Sequence, residues 1–108
     1  MKKNLLLTGL LLGFMQLASA QTLQKVVIEE FTGAWCGYCP DGATILDNIL
    51  TNQPNAIGVS VHNSDAMQNG TGSLITNFYS PAFPQATINR SGAPISRGSW
   101  SNAVSVAL

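Results

Sequence analysis

Charged residues are scarce in this 108-residue chain, which has five Lys and Arg, five Asp and Glu and a single histidine. Beyond residue 20, five acids stand against three cations, which gives a net charge of −2. These eight residues are Lys25, Arg90, Arg97, Glu29, Glu30, Asp41, Asp47 and Asp65. They contain no basic cluster that could attract phosphates or an anionic membrane surface. The composition therefore argues against nucleic acid as a partner.

Metal-ligating residues are equally few, since Cys36, Cys39 and His62 are the only cysteines and histidine. A structural zinc site needs four ligands, so a metal centre here would require a partner chain. We predict neither a metal nor another cofactor. A disulfide between cysteines only two residues apart would restrict the unfolded chain little. Redox reactivity explains this pair better than stapling does, and a purely structural disulfide is the alternative.

The chain also lacks an uninterrupted apolar run of the roughly 20 residues that a membrane-spanning helix needs. Residues 1–20 instead have a positive start, a short apolar stretch and a small-x-small pattern at Ala18-Ser19-Ala20, as in a signal peptide. Gln21 follows, where a lipoprotein would have cysteine. We therefore predict an exported protein, located in the periplasm or cell envelope or secreted, with no transmembrane span in the mature chain.

The remaining residues, 21–108, suit one small α/β domain with the element order β-α-β-α-β-β-α. Predicted strands are Lys25–Phe31, Ala56–Val61, Gln85–Asn89 and an edge strand near Ala93–Ser96; predicted helices cover Ala43–Leu50, Ser73–Tyr79 and the residues that follow a capping Ser99. We expect a mixed central sheet with helices on both faces, a parallel first pair of strands and an antiparallel hairpin. The chain ends at Leu108 without a polar terminator, so we expect a truncation before a C-terminal region.

The Cys36-Gly37-Tyr38-Cys39 motif lies between the first predicted strand and the first helix. A cysteine that opens a helix is close to free backbone N–H groups and the positive end of the helix dipole, which favour its thiolate. We predict that Cys36, exposed by the turn, is the nucleophile and that Cys39 resolves the mixed disulfide. The alternative from another class is an envelope or surface interaction protein whose Cys36–Cys39 bridge is passive.

The segment from Glu30 to Cys39, EFTGAWCGYC, resembles the active-site segment of thioredoxins. The wider string, with Cys39-Pro40, Phe83-Pro84 and Asn89-Arg90, is similar to the exported "outer membrane protein twenty-eight" related family of thioredoxin-like proteins. The resemblance covers residues 26–90, and members commonly continue into a C-terminal β-rich region. It implies a thioredoxin-like fold and a thiol–disulfide oxidoreductase that acts on protein thiols or disulfides together with a redox partner protein.

The resemblance also implies roles for single residues. Glu30 takes the place of a buried acid that accepts the proton of Cys39 through a water, and burial would raise its pKa. An ordinary strand-end carboxylate is the alternative. Phe83-Pro84 matches a cis-proline whose preceding backbone pairs with an extended substrate, against the alternative of a trans loop proline. Trp35 is predicted to contact substrate too, although it could equally belong to the edge of the core.

Tyr38, inside the motif, is the remaining residue predicted to contact substrate. It is neutral and brings no positive charge to Cys36, and the pair Gly37-Tyr38 leaves the direction of electron flow open. His62 and Asp65 follow the second strand, so their loop is expected at the same sheet edge as the cysteines. A solvated loop is the ordinary interpretation of these two residues, and a role in the site is the alternative.

Overall fold

A computed structural model describes residues 1–3 and 23–108. The apolar stretch and the cleavage pattern of the predicted signal peptide lie outside these residues. Within the described ranges, no helix is long and apolar enough to cross a membrane. The strands are β1 (Val26–Thr32), β2 (Ala56–His62), β3 (Gln85–Ile88) and β4 (Ile95–Ser96). The helices are α1 (Cys39–Asn52), α2 (Gly70–Tyr79) and α3 (Trp100–Ala107), the last preceded by a 3₁₀ turn, Arg97–Ser99.

The four strands form one mixed sheet in the order β2-β1-β3-β4. β1 pairs in parallel with β2 and antiparallel with β3, and β3 continues antiparallel into β4. The predicted order of elements, the parallel first pair and the antiparallel hairpin are therefore confirmed. Because β1 is internal, the loop that follows it emerges beside the ends of its neighbours.

The main core lies on the sheet face that carries Val26 and Ile28, which are fully buried. Alternation along β1 places these residues on one side, where α1 and α3 cover them. The buried members of this core are Val26, Ile28, Leu46, Ile49, Ala86, Ile88, Trp100 and Val104. On the opposite face α2 packs, with the Tyr79 ring 5.8 Å from the ring of Phe31. The predicted arrangement of helices on both faces is thus confirmed.

The α2 face also holds a partly buried ion pair. Glu29 on β1 accepts hydrogen bonds from Nε and Nη2 of Arg90 at 2.8 and 2.7 Å, and its Oε2 lies 3.4 Å from the Thr87 hydroxyl. The hydrogen bonds from Arg90 hold the pKa of Glu29 below its ordinary value despite the opposing effect of burial. Glu29 is therefore a charged residue of the fold that Arg90 neutralises from the turn after β3.

The strand ends differ from the predictions by up to two residues, and the helix starts differ in three respects. α1 begins at Cys39 and not at Cys36, because residues 37–38 form a turn in which the Cys39 N–H bonds the Cys36 carbonyl at 3.3 Å. α2 begins three residues early, at Gly70, because the Asn69 side chain caps it through the Gly72 N–H. Within the described residues Ser99 makes no side-chain cap, since a 3₁₀ turn already leads into α3.

Candidate active site

The Cys36–Cys39 disulfide lies at the end of β1, where the chain turns into α1. The two Cα atoms are 5.3 Å apart, within the usual range for a disulfide. Cys36 is only 8 % exposed, so the prediction that the turn exposes it is wrong for the oxidised state. Cys39, as the first residue of α1, is covered slightly further. The bond is therefore a lightly covered group at one edge of the sheet.

Glu30 points from β1 toward the same face as α1 and is 1 % exposed, as predicted. Its Oε2 accepts a hydrogen bond from the Ser60 hydroxyl at 3.3 Å, while Oε1 has no hydrogen-bond partner among the described residues. Burial raises the pKa of Glu30 above its ordinary value, with Ser60 and the charge of His62 opposing the shift. A buried carboxyl group with a raised pKa is suited to exchange protons with a neighbouring thiol.

Gly42, one turn into α1, allows Glu30 and Pro84 to approach the helix. A Cβ atom at this position would lie 2.8 Å from Glu30 Oε1 and 3.1 Å from Pro84 Cβ. Gly42 follows Cys39 by three residues, so the two share one side of the helix. The carboxyl, the proline and Cys39 therefore meet on that side. Sequence reasoning missed Gly42; its position inside a predicted helix, where glycine is unfavourable, was the available signal.

Replacing Gly42 with alanine tests this close packing. Alanine is favoured over glycine inside a helix by about 1 kcal/mol, but overpacking costs about 1–3 kcal/mol. Glu30 is enclosed and the Pro84 ring is rigid, so we expect Gly42→Ala to lower the free energy of unfolding by about 1 kcal/mol in urea denaturation. Gly70→Ala is the control, because a Cβ at Gly70 would meet nothing within 4 Å. A Gly42→Ala protein more stable than wild type would contradict the packing.

Trp35 joins the cysteine turn to two other loops. Its Nε1 donates to the Asn63 carbonyl at 2.7 Å, and its ring meets the edge of Phe83 at 5.1 Å between centroids. The side chain is 55 % exposed, so it is not a core residue. Gly33 is required here, since a Cβ at this position would lie 2.5 Å from Trp35 Nε1. The peptide bond between Phe83 and Pro84 is cis, as predicted.

Tyr38 projects from the motif and is 69 % exposed. The guanidinium of Arg97 lies 5.2 Å from the centre of the Tyr38 ring, in cation–π geometry. The Nε of Arg97 also donates a hydrogen bond to Asp41 in the first turn of α1. Sequence reasoning found no positive charge next to the motif because Arg97 is distant along the chain. The structure brings this cation to Tyr38, where Asp41 partly neutralises it.

His62 and Asp65 lie beside the cysteine turn, and they are not a merely solvated loop. His62 Nδ1 is 2.7 Å from Asp65 Oδ2, which also accepts the Ala34 N–H at 2.9 Å. Oδ1 of Asp65 accepts the Met67 N–H at 2.9 Å. These hydrogen bonds, that of His62 first, hold the pKa of Asp65 below its ordinary value. A charged Asp65 thus fastens the turn before Cys36 to the end of β2.

A shallow cleft of about 230 Å³ connects these groups. Its lining includes Glu30, Cys36, Cys39, Ser60 and His62. Of the residues predicted from the sequence, the cleft holds both cysteines and the acid, together with His62. The exposed aromatic rings of Trp35 and Tyr38 lie outside this lining. The site therefore combines a disulfide, a buried carboxyl and an imidazole in one depression.

Several solved structures of other proteins have the same fold as this chain. HBP35 of Porphyromonas gingivalis superposes with a TM-score of 0.66 and 23 % identity over 81 % of this chain. The germline-specific thioredoxin Deadhead from Drosophila melanogaster gives a TM-score of 0.57 and 13 % identity over 88 % of this chain and 90 % of its own. The fold is thioredoxin-like.

A secreted Mycobacterium tuberculosis disulfide oxidoreductase homologous to Escherichia coli DsbE shares the thioredoxin-like fold, with a TM-score of 0.54 and 19 % identity over 78 % of this chain and 84 % of its own. The present chain spans only 33 % of the HBP35 chain. No protein-family model matches it, and no curated protein matches it either. At these identities the comparisons establish the thioredoxin-like fold, and the Cys-x-x-Cys pair at disulfide distance is an observation on this chain itself.

Proposed function

We propose that the protein catalyses thiol–disulfide exchange on extracytoplasmic protein substrates through Cys36 and Cys39. The observation that carries this proposal is the disulfide at the strand-to-helix turn of a thioredoxin-like fold, in a cleft shared with the carboxyl of Glu30. The signal-peptide pattern of residues 1–20 supports an exported location. Membership of the exported "outer membrane protein twenty-eight" related family is part of the same proposal and rests on the motif string.

In the proposed reaction the Cys36 thiolate attacks a substrate disulfide, and Cys39 then displaces the substrate from Cys36. Glu30 would receive the proton that Cys39 loses, since it lies against α1 beside Cys39 and burial raises its pKa. Trp35, Tyr38 and Phe83 would contact the substrate chain around the disulfide, with Pro84 fixing the backbone beside them. A second redox protein would reset the cysteine pair, and the direction of electron flow depends on that partner.

The reduction potential of the Cys36–Cys39 couple tests the proposal directly. A value between those of known exchange proteins, about −270 to −120 mV, is expected. A value far below about −300 mV would instead identify a structural disulfide that substrates cannot open. The protein is equilibrated with glutathione or dithiothreitol buffers of known ratio of reduced to oxidised form. The fraction of free thiol at each ratio gives the reduction potential.

Glu30→Gln should slow the displacement step by about 10²-fold while leaving the first attack by Cys36 nearly unchanged, because an amide cannot accept the proton of Cys39. The same variant should be more stable than wild type at neutral pH. The folded protein raises the pKa of Glu30, so it binds this proton more tightly than the unfolded chain, and its stability falls as pH rises from about 4.5 through the raised pKa. Glutamine does not ionise, so the variant avoids this decrease in stability.

Rapid mixing and urea denaturation across pH measure these two effects on one variant. Ser60→Ala is the matched control, since it removes the hydroxyl bound to Glu30 but retains the carboxyl. A Glu30→Gln protein with an unchanged displacement rate would show that the carboxyl is an ordinary strand-end residue.

A further inference from the structure

His62 lies on the same sheet face as Glu30 and closer to the cysteine turn. In the parallel register Glu30 is opposite Ser60, and Thr32 is opposite His62. Residues two positions apart in a strand lie on the same face of the sheet. His62 is therefore the diagonal neighbour of Glu30, toward the carboxyl edge of the sheet. The His62 side chain is 19 % exposed, whereas Glu30 is enclosed. His62 is therefore the more exposed of the two and lies closer to the edge of the sheet.

Asp65 determines which ring nitrogen of His62 carries the proton and which has the lone pair. The short contact of Nδ1 with Asp65 Oδ2 requires a proton on Nδ1, because Asp65 is held in its charged form by His62, Ala34 and Met67. A neutral imidazole with its proton on Nδ1 has its lone pair on Nε2. Nε2 is then the ring atom that can accept a proton.

The buried Glu30 needs such a neighbour if it is to exchange protons. The titratable side chains among the described residues of the cleft are Glu30, Cys36, Cys39 and His62, with no lysine or arginine in that lining. From α2, which packs on β2, the titratable side chain is Tyr79, and it contacts Phe31 on the opposite face of the sheet. His62 is thus the titratable cleft residue, apart from the reacting cysteines, that can connect Glu30 with water.

We propose that His62, oriented by Asp65, carries the proton between Glu30 and solvent during thiol–disulfide exchange, an inference that rests on the function proposed above. In the displacement step the S–H bond of Cys39 breaks and Glu30 takes the proton. The Cys39 sulfur then bonds to Cys36 Sγ, and the substrate sulfur leaves with the electron pair as a thiolate. The cysteine pair is oxidised and the substrate reduced by two electrons. Glu30 returns its proton to His62 Nε2, and His62 releases it to water; substrate oxidation runs these transfers in reverse.

His62→Asn tests this assignment, because an amide can still donate to Asp65 but cannot carry a proton. Reduced protein is mixed with dithiobis(nitrobenzoic acid), which releases one coloured thiolate on attack by Cys36 and a second on displacement by Cys39. We expect the second phase to slow about tenfold near neutral pH and the first to change less than twofold. Free imidazole in the buffer should restore the second phase of the variant.

Two further variants separate proton transfer from loop support. Asp65→Asn keeps an acceptor for the Ala34 N–H but loses the charge that orients His62, so its second phase should slow as well. Met67→Ala, an exposed change in the same loop, should alter neither phase. The proposal is overturned if His62→Asn leaves the second phase unchanged, or slows both phases equally without rescue by imidazole. A wild-type protein with a first phase and no second would overturn exchange activity itself.

Discussion

Cys36→Ser should reduce thiol–disulfide exchange to the uncatalysed background, whereas Cys39→Ser should stop after one step with substrate attached to Cys36. Both variants lose the same disulfide, so each is the structural control for the other. The difference arises because Cys36 precedes α1 at the turn, while Cys39 is the first residue of the helix and lies on the side that faces Glu30. Removal of the resolving sulfur leaves the first attack intact.

Mass spectrometry after incubation with a disulfide-containing peptide measures the adduct. We expect a stoichiometric mixed disulfide with Cys39→Ser and none with Cys36→Ser. An adduct that forms equally fast through Cys39 in the Cys36→Ser protein would reverse the two roles. Absence of any adduct, in either variant and with every disulfide offered, would favour a passive bridge.

Arg90→Met should lower the free energy of unfolding at neutral pH, because the carboxylate of Glu29 would lose both of its hydrogen bonds from the guanidinium. Removal of one partner from a buried ion pair is destabilising because the other charge remains in the protein interior. The guanidinium of Arg90 is 59 % exposed, so solvent screening reduces the expected loss. Urea denaturation measures the loss, and Glu29→Gln combined with Arg90→Met should recover part of it.

The contribution of Glu29 to the pH dependence of stability should change sign in this variant. Arg90 lowers the pKa of Glu29, so the wild-type pair stabilises the fold above about pH 4.5, and this contribution disappears as pH falls through the folded pKa. Without Arg90, burial alone would raise the pKa of Glu29. The variant should then gain stability from Glu29 as pH falls toward 4.5. Equal pH slopes in the two proteins would contradict a charged Glu29.

Much of the fold could be predicted because strand and helix periodicity dominates the short elements of this chain. The apolar positions of β1 and the spacing of Trp100 and Val104 identified residues that are indeed buried. The element ends were less accurate because they depend on local hydrogen bonds. Asn69 caps α2 three residues before the apolar pattern begins, and the turn at residues 37–38 delays α1 to Cys39.

The candidate site was predictable where its residues adjoin the motif and not where the fold brings distant residues together. Glu30 is six residues before Cys36, and strand alternation was enough to predict its burial. Arg97 reaches Tyr38 only because α3 packs beside α1. The sequence pattern does not predict this helix packing. Asp65 is 31 residues from Ala34, so its hydrogen bond to the cysteine turn also depends on how β2 pairs with β1.

The adjacent glutamates of β1 also bear on how the sheet assembles. Glu29 faces Arg90 on one side of the sheet, and Glu30 faces α1 on the other. A slip of β1 by one residue would turn every side chain to the opposite face. Glu29 would then enter the apolar side without its arginine, and Ile28 would leave the core for the side of the ion pair. Glu29 and Ile28 thus make mispaired strands unfavourable and help to select one register during folding.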